Sequence, residues 1–164
     1  MVIVMGVSGS GKTTVGAPMA EQLGWDFAEG DSFHPPENVA KMSSGTPLTD
    51  ADRWPWLAKL AEWIDEHLAA GESGVVTCSA LKRSYRDVLR KGHESEVFFL
   101  HLHGTREQLQ ERLEGRRGHF MPPGLLSSQL ADLEPLGPDE RGMTLDVGGP
   151  VTETVRLAIE RATA

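Results

Sequence analysis

At 164 residues the chain has the size of one domain, long enough to bury roughly two-thirds of the surface its unfolded form exposes. Sixteen Lys and Arg stand against 24 Asp and Glu, a formal net charge of -8, which excludes nucleic acid or an anionic membrane as the default partner and requires any bound anion to meet locally gathered positive charge. The single cysteine, Cys78, excludes an internal disulfide; with no secretory leader pattern and no apolar run near the roughly 20 residues of a spanning helix, a soluble, cytoplasmic protein is expected.

Taken in chain order, Val2–Met5 is an apolar first strand, followed after a glycine-rich turn by a helix over Lys12–Leu23, in which Pro18 should kink or fray the backbone. Residues 25–29 read as a second strand, halted by Gly30-Asp31, after which polar loop chemistry takes over. Thr49-Asp50-Ala51-Asp52 offers a capping hydroxyl and first-turn acids, and Leu57, Leu60, Ala61, Ile64 and Leu68 recur at helical spacing, predicting a helix to about Ala70. A third strand over 75–78, a helix over 79–90 and a fourth strand over 97–100 follow. Thr105-Arg106-Glu107-Gln108 is a capping-box pattern that opens a helix to about Glu114. The basic, Gly- and Pro-interrupted stretch 115–124, with a short helix around 125–133, predicts a flexible helical lid over about 115–135. Residues 143–147 supply a last strand and Val151–Ala162 a closing helix. The alternation predicts a five-stranded parallel sheet between helical layers, an α/β/α sandwich formed by one domain over 1–164.

Gly6-Val7-Ser8-Gly9-Ser10-Gly11-Lys12-Thr13 matches G-x-x-x-x-G-K-[ST] between a strand and a helix, the context that a phosphate-binding loop (P-loop) requires. Gly6, Gly9 and Gly11 let backbone N–H groups wrap phosphates without Cβ obstruction, and the helix N-terminus adds donors and a positive dipole end. Gly6, Ser8, Gly9, Ser10, Gly11, Lys12, Thr13 and Thr14 form the expected ATP-binding set, with Lys12 on the β- and γ-phosphates and the Thr13 hydroxyl on Mg²⁺. The fold class is thus that of P-loop NTPases. No guanine-reading Asn-Lys-x-Asp occurs, and the Asp-x-x-Gly matches at Asp139 and Asp146 lack the right context. The third strand closes on Thr77-Cys78-Ser79 without a metal-positioning acid, so Asp31 is the alternative carboxylate at that sheet edge.

Ligands of doubly wound folds gather beyond the carboxyl ends of the strands. Asp31, Ser32, His34, Lys41, Arg53, Lys82 and Arg86 fall there. Phosphoryl transfer to an alcohol needs a carboxylate to orient the hydroxyl and accept its proton, the role expected of Asp31 unless it only caps a turn. His34, before Pro35-Pro36, is either a hydroxyl ligand or a structural histidine. Lys82 and Arg86 share one helix face with Arg90. An acceptor carboxylate could be held by them or by Arg53, whereas Arg90 and Arg83 read as a solvated basic face. In the lid, Arg116 or Arg117 would meet the charge on the transferred phosphoryl and Arg112 would stack on adenine, with His119 on the acceptor side.

These residues resemble the gluconate kinases of the nucleoside-monophosphate-kinase-like and shikimate-kinase-like group, over nearly the whole chain. The resemblance rests on the P-loop, Gly30-Asp31-Ser32-Phe33-His34-Pro35, Lys41-Met42-Ser43-Ser44-Gly45-Thr46-Pro47-Leu48, Asp50-Ala51-Asp52-Arg53, Cys78-Ser79-Ala80-Leu81-Lys82 and Arg117-Gly118-His119-Phe120. It implies ATP- and Mg²⁺-dependent phosphorylation of the C6 hydroxyl of gluconate by a homodimer. Shikimate or another sugar acid as acceptor, or a non-catalytic nucleotide-binding module, are the alternatives; Lys12, Asp31 and the lid arginines speak against the last.

Overall fold

The computed structural model describes residues 1–114 and 123–164. Within them lie five strands, β1 (Val2–Met5), β2 (Asp26–Glu29), β3 (Gly74–Thr77), β4 (Phe98–His103) and β5 (Gly142–Asp146). They pair in the order β2-β3-β1-β4-β5, every pair parallel. The helices are α1 (Lys12–Leu23), α2 (Pro36–Ser43), α3 (Asp50–Ala69), α4 (Arg83–Arg90), α5 (Arg106–Glu114), α6 (Pro123–Asp132) and α7 (Val151–Ala162), with a 3-10 turn over Gly30–Phe33.

The unbroken apolar runs of β1, β3 and β4 are explained by burial on both faces. Val2, Val4, Val75 and Leu100 point to one side, against Val15 and Met19 of α1 and Val155 and Ala158 of α7. Ile3, Met5, Val76 and Phe99 point to the other, against Leu57, Leu60 and Ile64 of α3 and Tyr85 and Leu89 of α4. Both expected caps form. The Thr49 hydroxyl accepts from Asp52 N while the Asp52 carboxylate accepts from Thr49 N, and Thr105 and Gln108 exchange the same pair of bonds.

Three local expectations are corrected. Of the effects expected of Pro18, fraying does not occur: α1 continues through it to Leu23, with one backbone bond forfeited. Helix α4 begins at Arg83 and not at 79, because Ala80 adopts the left-handed region (φ 46°) and holds residues 78–82 as a loop. Residues 30–33 and 36–43, read as polar loop, form the 3-10 turn and α2, with Pro36 in the first turn, where its missing N–H costs nothing. The turn sits so close to β3 that a Cβ on Gly30 would lie 1.8 Å from the Thr77 carbonyl oxygen, so only glycine fits there.

Candidate active site

The loop between β1 and α1 closes with Gly6, Gly9 and Gly11 at φ 147°, 86° and 91°. A side chain on Gly6 would lie 2.7 Å from Ser10 Oγ and 2.8 Å from the Leu102 carbonyl. Lys12 folds back to donate to the Gly6 and Val7 carbonyls at 3.0 and 3.1 Å, which sets its ammonium over the loop. The Ser8 N–H donates to Gln129 Oε1 of α6 at 2.7 Å. Among the described residues, Ser10 Oγ is buried without a hydrogen-bond partner, as a group awaiting a polar ligand would be. On the far side of the loop, Arg112 donates to the Val147 carbonyl at 2.6 Å and lines a pocket of about 240 Å³, its open mouth included, with Gly11, Thr14, Val15 and Val151.

Thr13, at the head of α1, donates its hydroxyl to Glu29 Oε2 at 3.0 Å, and the same oxygen accepts from the Thr77 hydroxyl at 2.9 Å. Thr77 in turn accepts from Gly30 N–H at 3.1 Å. Glu29 and Thr77 are register partners across β2 and β3. A carboxylate thus reaches the Thr13 hydroxyl from the strand beside β3, and it is Glu29, not Asp31. Sequence reasoning missed Glu29. Its signal was an acid at the carboxyl end of β2, indistinguishable there from an exposed edge residue.

Asp31, His34 and Arg53 meet Lys12 and Ser8 in one cleft of roughly 540 Å³, including its open mouth. Asp31 stands at the mouth with its side chain 84% exposed, and its carboxylate lies 4.0 Å from His34 Nε2. The His34 ring stacks on Trp56 with centroids 4.0 Å apart, and Trp56 is itself anchored by donating to the Gly30 carbonyl at 2.8 Å. Burial holds the His34 pKa below its usual value, against the opposing pull of Asp31. Arg53 donates through Nη1 to the Tyr85 hydroxyl at 2.6 Å and to Asp132 of α6 at 3.3 Å. Lys41 pairs with Asp52 at 2.7 Å, and with the Thr49 cap it holds the Asp52 carboxyl down at about 2.

The remaining basic candidates divide. Lys82 is the residue before α4 and pairs with Asp50 at 3.2 Å, beside the Arg53 cluster. Arg86 is a correction to the expected acceptor set: its side chain is fully buried and paired with buried Glu140 at 2.6 Å. Its nitrogens also donate to the Ala80, Leu81 and Pro135 carbonyls, so all five N–H groups are spent inside the protein. It pins the 78–82 loop, whose Ser79 lines the cleft and accepts from Gly6 N–H of the P-loop. Arg90 is likewise buried and pairs with Asp87 at 3.0 Å, and Arg83 pairs with Asp139. Arg90 therefore departs from the expected solvated face, whereas Arg83, its side chain 39% exposed, lies on one. Cys78, at the start of the 78–82 loop, is buried, and burial pushes its thiol up to about 12. Arg116, Arg117 and His119 lie outside the described residues.

A family model described as "Shikimate kinase" matches residues 8–128. A gluconokinase of Gluconobacter oxydans is 57% identical over 139 residues, covering 85% of this chain and 78% of its own. Among solved structures, a sugar kinase from Janibacter superposes with a TM-score of 0.94 at 55% identity, over 99% of this chain and 93% of that one. A gluconokinase from Sinorhizobium meliloti does so at 0.89 and 51%, over 99% and 90%.

Proposed function

The chain belongs to the gluconokinases, built on a shikimate kinase-family domain, and from that premise we propose that it transfers the γ-phosphoryl of ATP to the C6 hydroxyl of D-gluconate. The observation that carries this reading is the single cleft in which Lys12 of the phosphate loop faces Asp31, His34 and Arg53. A hydroxyl at Asp31 loses its proton to the carboxylate as its oxygen bonds to the γ-phosphorus; the bond from that phosphorus to the β–γ bridging oxygen breaks, and ADP leaves. Lys12 neutralises charge on the phosphates, acting mainly by position and electrostatics. Both bonds of Arg53 use Nη1, which leaves Nε and Nη2 as donors for the acceptor carboxylate.

Gly6, Ser8, Gly9, Ser10, Gly11 and Thr14 complete the nucleotide cradle, and Arg112 lies beside the pocket for the base. The Thr13 hydroxyl, which donates its hydrogen bond to Glu29 and so keeps its oxygen lone pairs available, suits Mg²⁺, which when bound would neutralise the phosphate oxygens. Lys82 acts through Asp50 at the rim of the Arg53 cluster. The same reading includes a lid over about 115–135 carrying Arg116, Arg117 and His119, one kinase domain over 1–164, a homodimer and a cytoplasmic home. Among the described residues, no helix is long and apolar enough to cross a membrane.

The test is an ADP-release assay across gluconate, shikimate, other sugar acids and nucleoside monophosphates. Turnover is expected with gluconate well above every other acceptor. Background rates with gluconate, alongside turnover of another acceptor, would overturn the assignment.

A further inference from the structure

Asn38 of α2 is buried, 2% exposed, although nothing in its local sequence asks for an amide. Its Nδ2 lies 2.9 Å from the Asp52 carbonyl oxygen and 3.1 Å from His34 Nδ1. A carbonyl oxygen can only accept, so the atom facing it is the NH₂, and that nitrogen's second hydrogen is directed at His34. Nδ1 therefore carries the lone pair and the ring proton resides on Nε2, the nitrogen that faces Asp31 across 4.0 Å. That separation is too long for a direct hydrogen bond, but it lets one hydroxyl oxygen sit about 2.8 Å from both groups.

A hydroxyl has one hydrogen. If the imidazole presents N–H, the hydroxyl accepts from it and its hydrogen is free to point at Asp31. If the imidazole presents a lone pair, His34 and Asp31 compete for that hydrogen. We propose that Asn38 is a positioning residue: by donating to Nδ1 it holds His34 in the Nε2–H tautomer, which turns the hydrogen of the hydroxyl between them toward Asp31. This rests on the reading of Asp31 as the carboxylate at the acceptor hydroxyl. Packing supports it, because the Trp56 ring stacked on its face opposes a turn of the imidazole that would carry Nδ1 away from Asn38.

Nitrogen-15 NMR of the histidine rings, with His34 assigned by its loss in His34→Gln, reads the tautomer without any substrate. The wild type is expected to show an unprotonated Nδ1 and a protonated Nε2; a protonated Nδ1 would overturn the proposal. Asn38→Asp keeps the shape but accepts at Nδ1, so at neutral pH Nε2 should become the lone-pair nitrogen. Its kcat for gluconate is expected to fall about tenfold with nucleotide KM unchanged. Acidification then protonates His34, restores Nε2–H, and should raise the variant's kcat relative to wild type. The charges facing the ring at that point are Asp31 from the 3-10 turn, Arg53 from α3, Lys12 from the P-loop and the new carboxylate. A merely structural Asn38 predicts no such inverse pH profile, and a flat relative profile would sink the idea. Should Asn38→Asp fail to fold, Asn38→Leu is expected to show both tautomers and the same tenfold loss; one tautomer with normal kcat would count equally against it. Absence of gluconate turnover by the wild type would instead overturn the acceptor assignment, leaving the tautomer measurement intact.

Discussion

The nucleotide side and the acceptor side of the cleft are built in different ways. The first is eight consecutive residues, 6–13, which offer backbone N–H groups and glycine dihedrals and include one lysine and one threonine. The second draws Asp31 and His34 from the turn after β2, Arg53 from α3 and Ser79 from the loop after β3, with Gln129 arriving from α6. A contiguous motif tolerates change elsewhere in the chain, since its geometry is local. A site of convergent side chains depends on every element that carries one, and its parts can be separated by mutation.

That contrast is sharpest between two arginines of the same charge. Arg86→Leu is expected to cost about 3–5 kcal/mol of stability, read by urea denaturation, because Glu140 is left buried and unpaired. The double variant Arg86→Leu with Glu140→Leu should recover most of it. A single variant of unchanged stability with a raised gluconate KM would return Arg86 to the acceptor set. Next in size, Asp31→Asn should lower kcat by about 10² or more while nucleotide binding stays as it was. A near-normal kcat would make Asp31 a turn former. Arg53→Leu should raise the KM for gluconate by about 10- to 100-fold, the worth of charge-assisted hydrogen bonds to a carboxylate, with the KM for ATP little moved. The smallest effect is expected at Glu29→Gln: the Mg²⁺ concentration for half-maximal activity should rise about tenfold, through the Thr13 hydroxyl it orients. If the gluconate KM moved instead, Glu29 would belong to the acceptor side.

Much of the architecture is legible without coordinates. Continuous apolar runs such as Val2–Met5 announce strands buried on both faces, and the Thr49 and Thr105 caps announce helix starts, because periodicity and capping act over three or four residues. Helix α2 was hidden by its composition. It is short and polar, and it is held by Asn38 and Lys41 bonding to the Asp52 carbonyl and carboxylate of α3 rather than by an apolar stripe. The start of α4 was misread because the helical spacing of Lys82, Arg86 and Arg90 carries no mark of the left-handed Ala80.

What the sequence by itself determined was the sheet, its helical layers and the phosphate loop, all properties of neighbouring residues. Only the tertiary structure decided which carboxylate meets Thr13 and which arginine is available to a ligand. Arg53 and Arg86 are chemically identical, and each has an acid as partner, at Asp132 and Glu140, 79 and 54 positions away. One guanidinium reaches a cleft and the other is enclosed on every N–H. The difference lies in the packing of segments distant along the chain, which no local pattern of charge or hydropathy encodes.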